Sequence, residues 1–225
     1  MKGGTAMAVK LNHYWSIVPG MEEEYEKFIL KKFIPGVNHL GLHTVAVWSV
    51  LIGEYSEIIF ETASGDLEII EKALKKKQYK SLKQELFQFV THYKTKVLVN
   101  TGRTDSYLMD IHKDTIKFNQ MWDIRAHKIK EYDAFVREEY FPLLNELGVL
   151  VAREWEILIG DGPGIICEGR VSDINNLIVN LQSKRFQRAK QALKQLTVKY
   201  RSRILTFHVH KIKGYKSESY HLVHD

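Results

Sequence analysis

Val9–Ile17 reads VKLNHYWSI, and this stretch decides the fold because the chain repeats it 107 residues later, where Ile116–Ile124 reads IKFNQMWDI. The two stretches share a lysine, an asparagine, a tryptophan and an isoleucine at equivalent positions. When Val9–Asn100 is aligned with Ile116–Phe207 without a gap, 27 of the 92 pairs are identical. A shared period of this length indicates a duplicated structural unit.

Each copy has the pattern of a small sheet with two helical regions. In the first copy we predict a strand at Val9–Ile17, where residues of alternating polarity define two faces. A helix is predicted over Met21–Phe33, with glutamates in its first turn, and Pro35 is expected to interrupt it. The remaining predicted elements are a hairpin at 42–52 and 57–62, a helical region from residue 65, and a closing strand at 96–100.

The second copy repeats this order, with its closing strand predicted at 202–210. The order β-α-β-β-α-β is that of the ferredoxin-like, or split βαβ, arrangement. We therefore predict an α+β fold with two ferredoxin-like repeats at 9–100 and 116–210, a connector at 101–115 and a C-terminal tail at 211–225. Because the strands are apolar on both faces, the two sheets are expected to pack together as an intramolecular α+β barrel, a monomeric pseudo-dimer.

Composition restricts the class of protein. Cys167 is the only cysteine, so the sequence predicts neither a disulfide framework nor a cysteine-based zinc cluster. We expect no signal peptide and no membrane-spanning segment, and hence a soluble, cytoplasmic protein. The formal net charge is +6, and much of the excess lies in Lys75–Lys83 and Lys184–Lys194. These runs are typical of solvated helix faces, and without an RNA-recognition motif we predict no nucleic-acid partner.

Several core and turn residues carry a family resemblance. They are PGMEEEYEKF at Pro19–Phe28, the Trp48-x-x-x-Ile52-Gly53 pattern and EIIFE at Glu57–Glu61, and the second copy keeps Tyr132, Phe135, Trp155, Ile159, Gly160 and Glu168. In these features the chain resembles the dimeric α+β-barrel superfamily, and most of all its NIPSNAP-like members. The resemblance implies a fold shared with antibiotic-biosynthesis and haem-degrading monooxygenases and with chlorite-dismutase-like proteins, while the NIPSNAP-like branch has no settled activity.

The catalytic pattern of those relatives is only partly present. A cofactor-free oxygenase of the superfamily is expected to combine an asparagine on the first strand with tryptophan and histidine or tyrosine from the second helical region. Asn12 and Asn119 match the first requirement, whereas Glu68–Lys83 and Asn175–Lys190 contain neither tryptophan nor histidine. No helical histidine lies where a haem ligand is required. We therefore predict no cofactor and no metal site, and assign no catalytic residue.

Polar and aromatic residues kept in both copies within apolar strands are the candidate ligand-binding residues. Since the first and third strands of a ferredoxin-like sheet are neighbours, a lysine and a glutamate on them can pair. Polar residues kept in this way form either the polar part of the wall of a ligand cavity or a structural network that fixes strand register. The candidates are Lys10, Lys117, Asn12, Asn119, Trp48, Trp155, Glu61 and Glu168.

Two functions are compatible with these features. The first is binding of a small hydrophobic or aromatic ligand, with a monooxygenase-like activity. The alternative is a non-enzymatic barrel that contacts an acidic partner through its basic helices. In the alignment of the two copies, Arg153 and Glu154 occupy the positions of Ala46 and Val47. This difference indicates that one repeat has specialised.

Overall fold

The computed structural model of the protein describes residues 9–53, 57–104, 111 and 114–208. The predicted tail at 211–225 and most of the predicted connector lie outside the described residues. The described chain forms two compact units: one holds 9–50, 57–99 and 207–208, and the other holds 51–53 and 100–206 apart from the residues not described. The units thus correspond approximately to the two sequence repeats, and each is described by itself.

The first repeat contains four strands and four α-helices. Its elements are β1 (Val9–Ile17), α1 (Glu22–Phe28), a π-helical turn (Ile29–Phe33), α2 (Ile34–His39), β2 (His43–Ile52), β3 (Ile58–Ser64), α3 (Leu67–Lys75), α4 (Lys77–Leu86) and β4 (Val90–Asn100). β1 pairs with both β3 and β4, and β3 pairs with β2, all antiparallel. The order β4-β1-β3-β2 is that of a ferredoxin-like sheet.

The second repeat has the same strands and α-helices in the same order, with an additional 3-10 turn before its first helix. It comprises β5 (Ile116–Ile124), a 3-10 turn (Ala126–Lys128), α5 (Ile129–Phe135), a π-helical turn (Val136–Tyr140), α6 (Phe141–Glu146), β6 (Leu150–Ile159), β7 (Ile165–Val171), α7 (Ile174–Gln182), α8 (Lys184–Leu196) and β8 (Thr197–Phe207). The order is β8-β5-β7-β6. Register shifts fall at equivalent positions, between Tyr14 and Ser16 in β1 and between Met121 and Asp123 in β5.

Two expectations about element boundaries are wrong. Pro35 does not interrupt the helical segment. It lies in the first turn of α2, where its missing N–H is tolerated. The π-helical turn that precedes α2 keeps the chain helical up to that point. The closing strands also begin earlier than predicted, at Val90 and Thr197. His92 and Lys199 adopt a left-handed φ of 54° within these strands, a local bend that periodicity does not reveal.

One face of each sheet packs against the helices of its own repeat. In the first repeat Leu11, Trp15 and Phe60 of the strands share a core with Phe33 and Leu86 of the helices. Phe118, Trp122, Tyr140, Leu177 and Leu193 do the same in the second repeat. Because side chains alternate along a strand, the residues between these core positions point to the opposite face of each sheet.

Gly169 gives a stability test of this packing. A Cβ added there would overlap Val149 Cγ1 and lie 3.3 Å from the Phe118 carbonyl oxygen. We expect Gly169→Ala to lower the free energy of unfolding by about 1–3 kcal/mol, because a branched side chain and the backbone must shift. Chemical denaturation measures the change. Gly164→Ala is the matched control, since its Cβ would make only an ordinary 3.5 Å contact, and an equal loss in both variants would contradict the packing argument.

Candidate ligand-binding site

In the first repeat, the four predicted site residues come together on the sheet face that points away from the helices. Lys10 Nζ lies 3.7 Å from Glu61 Oε2, and Trp48 Nε1 donates a hydrogen bond of 3.0 Å to the same oxygen. Asn12 is the cross-strand partner of Glu61. All four side chains belong to residues at most 3% exposed. The sheet thus holds a buried, ion-paired cluster on three neighbouring strands.

The second repeat builds the same cluster from the equivalent residues. Lys117 Nζ donates to Glu168 Oε1 at 2.9 Å, and Trp155 Nε1 donates to Glu168 Oε2 at 2.9 Å. Asn119 is the cross-strand partner of Glu168. The predicted lysine–glutamate pairing is therefore present in both repeats. A buried carboxylate of this kind is stable only with such partners, because desolvation of an isolated charge is expensive.

The asparagines differ from the other members of these clusters. Asn12 Oδ1 and Asn119 Oδ1 are buried, and neither accepts a hydrogen bond from any residue that the structure describes. A buried carbonyl without a donor destabilises a protein by about 1–3 kcal/mol. The same deficiency occurs at the same position of both repeats, beside a tryptophan and an ammonium group. A molecule with a hydroxyl or N–H group would supply the missing donor.

A second polar group lies on the helix side of the first sheet. His13 is fully buried among Trp15, Phe33, Phe60 and two tyrosines, with ring centroids 5.7 to 6.4 Å from its own. Its Nδ1 is 2.9 Å from the Tyr93 hydroxyl, and its Nε2 has no partner among the described residues. Burial, reinforced by the positive charge of Lys83, lowers the pKa of His13 to about 3. The imidazole is therefore neutral at physiological pH.

The second repeat replaces this histidine with Gln120. Gln120 Oε1 accepts hydrogen bonds from the hydroxyls of Tyr140, at 2.5 Å, and Tyr200, at 2.9 Å. Tyr200 is the counterpart of Tyr93, and Tyr140 takes the place of a phenylalanine. The two repeats thus place different polar groups at the same position, and each group, through His13 Nε2 or Gln120 Nε2, keeps one buried nitrogen without a partner among the described residues.

Glu154 is the centre of a network that only the second repeat has. Its carboxylate is fully buried and accepts from the Tyr132 hydroxyl, from Thr101 Oγ1 at 2.7 Å and from the Arg103 guanidinium at 2.8 Å. Arg103 also pairs with Asp133. Burial and the neighbouring Glu154 raise the pKa of Tyr132 well above its usual value, so the phenol keeps its proton and donates. The network fixes Thr101 and Arg103, which follow β4, to the core of the second repeat.

Sequence reasoning identified only part of this arrangement. The comparison of copies singled out Glu154 as a charge in an apolar position, but it gave no partner for it. Arg103 and Thr101 fall in the polar connector, which has no counterpart in the other copy. Without an internal comparison, no signal in the sequence connects them with a strand 51 to 53 residues away.

A cavity of about 520 Å³ lies on the second repeat, apart from the predicted residues. Its lining includes Leu150, Val171, Arg170, Ser172 and Thr115. None of the eight predicted ligand-binding residues lines this cavity. The cavity that we expected to reach Asn12 or Asn119 therefore stays a prediction.

The two basic segments occupy equivalent helices. Lys75–Lys83 lies at the end of α3 and in α4, and Lys184–Lys194 lies in α8. Lys75 of the first segment pairs with Glu71 within its own helix. Binding of an acidic partner to these helices is not tested by the fold and stays a prediction.

Within the described ranges, no cluster of three or more histidine, cysteine, aspartate or glutamate residues is arranged to hold a metal ion. Among the described residues, every helix is too short or too polar to cross a bilayer.

Comparison with known proteins identifies the fold. No family model and no curated protein matches the sequence. A candidate monooxygenase from Fusobacterium nucleatum is similar over 91% of this chain and 94% of its own, with a TM-score of 0.65 and 12% identity. An anthrone oxidase-like protein is similar over 90% of this chain and 91% of its own, with a TM-score of 0.58 and 12% identity.

A chlorite dismutase from Candidatus Nitrospira defluvii is similar over 89% of this chain and 90% of its own, with a TM-score of 0.58 and 10% identity. At these identities the similarity is one of fold. The predicted α+β fold of two ferredoxin-like repeats is confirmed at that level, and the predicted resemblance is confirmed as a likeness of fold alone.

Removing one partner of a buried ion pair tests the clusters on the two sheets. We expect Glu168→Gln to lower the free energy of unfolding by about 3–5 kcal/mol, because it removes the carboxylate that pairs with the buried Lys117 ammonium. Replacing both residues, as Lys117→Met with Glu168→Gln, is expected to recover most of that loss. A double-mutant cycle measured by urea denaturation gives the coupling. Additive effects of the two substitutions would show that the pair is not coupled.

The neutral state of His13 predicts a pH dependence of stability. The unfolded chain binds a proton near pH 6.5, whereas the folded pKa is about 3, so stability is complete above pH 6.5 and falls as the pH drops towards 3. Between pH 7 and pH 5 we expect this group to remove about 2 kcal/mol from the free energy of unfolding. Lys83, Tyr79 and Tyr93 face the imidazole.

Denaturation curves at the two pH values measure this effect. His13→Gln introduces the residue of the second repeat and removes the titration, so its stability is expected to fall less between pH 7 and pH 5 than that of the wild type. The difference between the two proteins excludes the contribution of the other histidines. Equal pH dependence in both proteins would show that His13 is protonated in the fold.

Proposed function

We propose that the protein binds a small hydrophobic or aromatic molecule that carries a hydroxyl or N–H group. The observation that carries this proposal is the buried, unpartnered Oδ1 atom of Asn12, repeated at Asn119. A donor on the ligand would satisfy that oxygen, and the neighbouring Trp48 or Trp155 would contact the apolar part of the molecule. A polar group of this kind fixes the orientation of a ligand, while burial of its apolar surface supplies most of the affinity.

A monooxygenase-like reaction is the finer part of the proposal. Lys10 and Lys117 place an ammonium group on the same sheet face as each asparagine. A cation in a buried site stabilises the oxyanion of a phenol or enol, and this electron-rich form is the species that reacts with dioxygen. Similarity of fold to a candidate monooxygenase and to an anthrone oxidase-like protein supports the choice of this chemistry for testing.

The binding proposal is tested with two ligands that differ by one hydroxyl group. We expect 1-naphthol to bind about tenfold more tightly than naphthalene in isothermal titration calorimetry, because one buried hydrogen bond contributes about 1–1.5 kcal/mol. The variant with both Asn12→Ala and Asn119→Ala is expected to lose this preference. Asn176→Ala, at an exposed position of α7, is the matched control.

Equal affinity for the two ligands, or an undiminished preference in the double variant, would contradict the role of the asparagines. Oxygen uptake in the presence of anthrone, followed with an oxygen electrode, tests the reaction separately. Binding without oxygen uptake would reject the monooxygenase-like activity and leave ligand binding in place.

A further inference from the structure

The outer helices of the second repeat carry an unusual distribution of charge. Residues 174–196, which form α7 and α8, contain five lysines and arginines and no acidic residue. The equivalent segment 67–89 of the first repeat contains Glu68, Glu71 and Glu85, which pair with Lys72, Lys75 and Lys32 respectively. The first repeat therefore neutralises part of its basic surface through three ion pairs. In the second repeat Arg185 of α8 pairs with Glu146 of α6, and α7 and α8 carry no acidic residue of their own.

Two lysines of α8 are held close together. Lys190 Nζ lies 5.0 Å and Lys194 Nζ lies 5.5 Å from the centroid of the same ring, that of Tyr200. Like charges one helical turn apart are unfavourable unless an anion lies nearby. Burial and the charge of Lys194 lower the pKa of Lys190. In the first repeat the position of Lys194 is occupied by Phe87, so the ring of Tyr93, the counterpart of Tyr200, does not have a second lysine at that position.

Apolar side chains are exposed on the neighbouring helix. Ile178 is 39% exposed and Val179 is 66% exposed on α7, which packs against α8. The equivalent residues of α3 are Glu71 and Lys72, which are charged and exposed to solvent. The second repeat has thus replaced charges by apolar groups on α7 while keeping only cations on α8. An excess of cations attracts an anionic partner, and the exposed aliphatic groups on the adjoining helix offer that partner an apolar contact.

We propose that the outer surface of α7 and α8 binds an acidic segment of another protein, in which carboxylates face α8 and an apolar side chain covers Ile178 and Val179. Charge complementarity favours an anionic partner. A nucleic acid would place phosphates against the aliphatic pair, and a bilayer surface is bound by a broader apolar face than two side chains provide. The proposal is independent of the ligand site on the sheets.

The probe for this surface is a fluorescein-labelled amphipathic peptide made of glutamate and leucine, followed by fluorescence anisotropy. We expect binding that weakens as the salt concentration is raised. The triple variant Arg188→Gln, Lys190→Gln, Lys194→Gln is expected to bind about tenfold more weakly, because three ion pairs are lost. Val179→Asn is expected to reduce affinity about threefold through loss of apolar contact.

The matched control removes the same number of charges from the first repeat, as Lys76→Gln, Lys77→Gln, Lys80→Gln, and is expected to change affinity by less than about twofold. Leu67→Asn on α3 is the control for Val179→Asn, since Leu67 is also exposed. Thermal unfolding of each variant verifies that the fold is retained. Equal losses in both triple variants, binding insensitive to salt, or tighter binding of phosphatidylserine vesicles or single-stranded DNA than of the peptide would overturn the proposal.

Discussion

The buried ion pair between the first and third strands is the interaction on which each repeat depends. Lys10 with Glu61, and Lys117 with Glu168, place opposite charges at buried positions from which water is excluded. Neither charge is tolerable there alone, so the pair requires these two strands to lie side by side in one register. A shift by a single residue would turn every side chain of the strand to the opposite face and separate the charges.

The tryptophan completes this constraint across a third strand. Trp48 on β2 donates to Glu61 on β3, so one carboxylate connects three neighbouring strands of the first sheet. Trp155 and Glu168 do the same in the second sheet. An indole N–H requires a partner when it is buried, which explains why a tryptophan and a glutamate are kept together in both copies. Asn12 and Asn119 lie within the same clusters, yet their carbonyl oxygens gain nothing from them.

Internal duplication explains how much of the structure could be predicted from the sequence. It supplied the order of the elements in each repeat, and it indicated the pairing of Lys10 with Glu61, because a polar residue kept twice in apolar strands requires a partner. It did not reveal the π-helical turn at Ile29–Phe33, since one inserted residue in a helix leaves the apolar pattern nearly unchanged. The contact of Arg103 with Glu154 was also inaccessible, because a connector residue has no counterpart in the other copy.

The two faces of each sheet have diverged to different extents. On the face that carries the ion pair, lysine, asparagine, tryptophan and glutamate are identical in both copies, whereas Ala46, across from Glu61, corresponds to Arg153, across from Glu168. On the helix side, His13 has become Gln120 and Val47 has become Glu154, and each change is accompanied by new donors. A neutral histidine needs only one hydroxyl and tolerates an aromatic cage, whereas a buried carboxylate requires several donors, including a cation.

This difference separates structural from functional explanations of the shared cluster. The requirement that a sheet keep its register accounts for the lysine, the glutamate and the tryptophan, because each satisfies another member of the set. It does not account for the asparagines, whose replacement by an apolar residue would remove an unsatisfied buried oxygen at no evident loss to the fold. Divergence on the helix side shows that buried polar groups in this chain do change when their partners change. The unpartnered carbonyl oxygens of Asn12 and Asn119 are therefore the feature of the shared cluster on which the ligand-binding proposal rests.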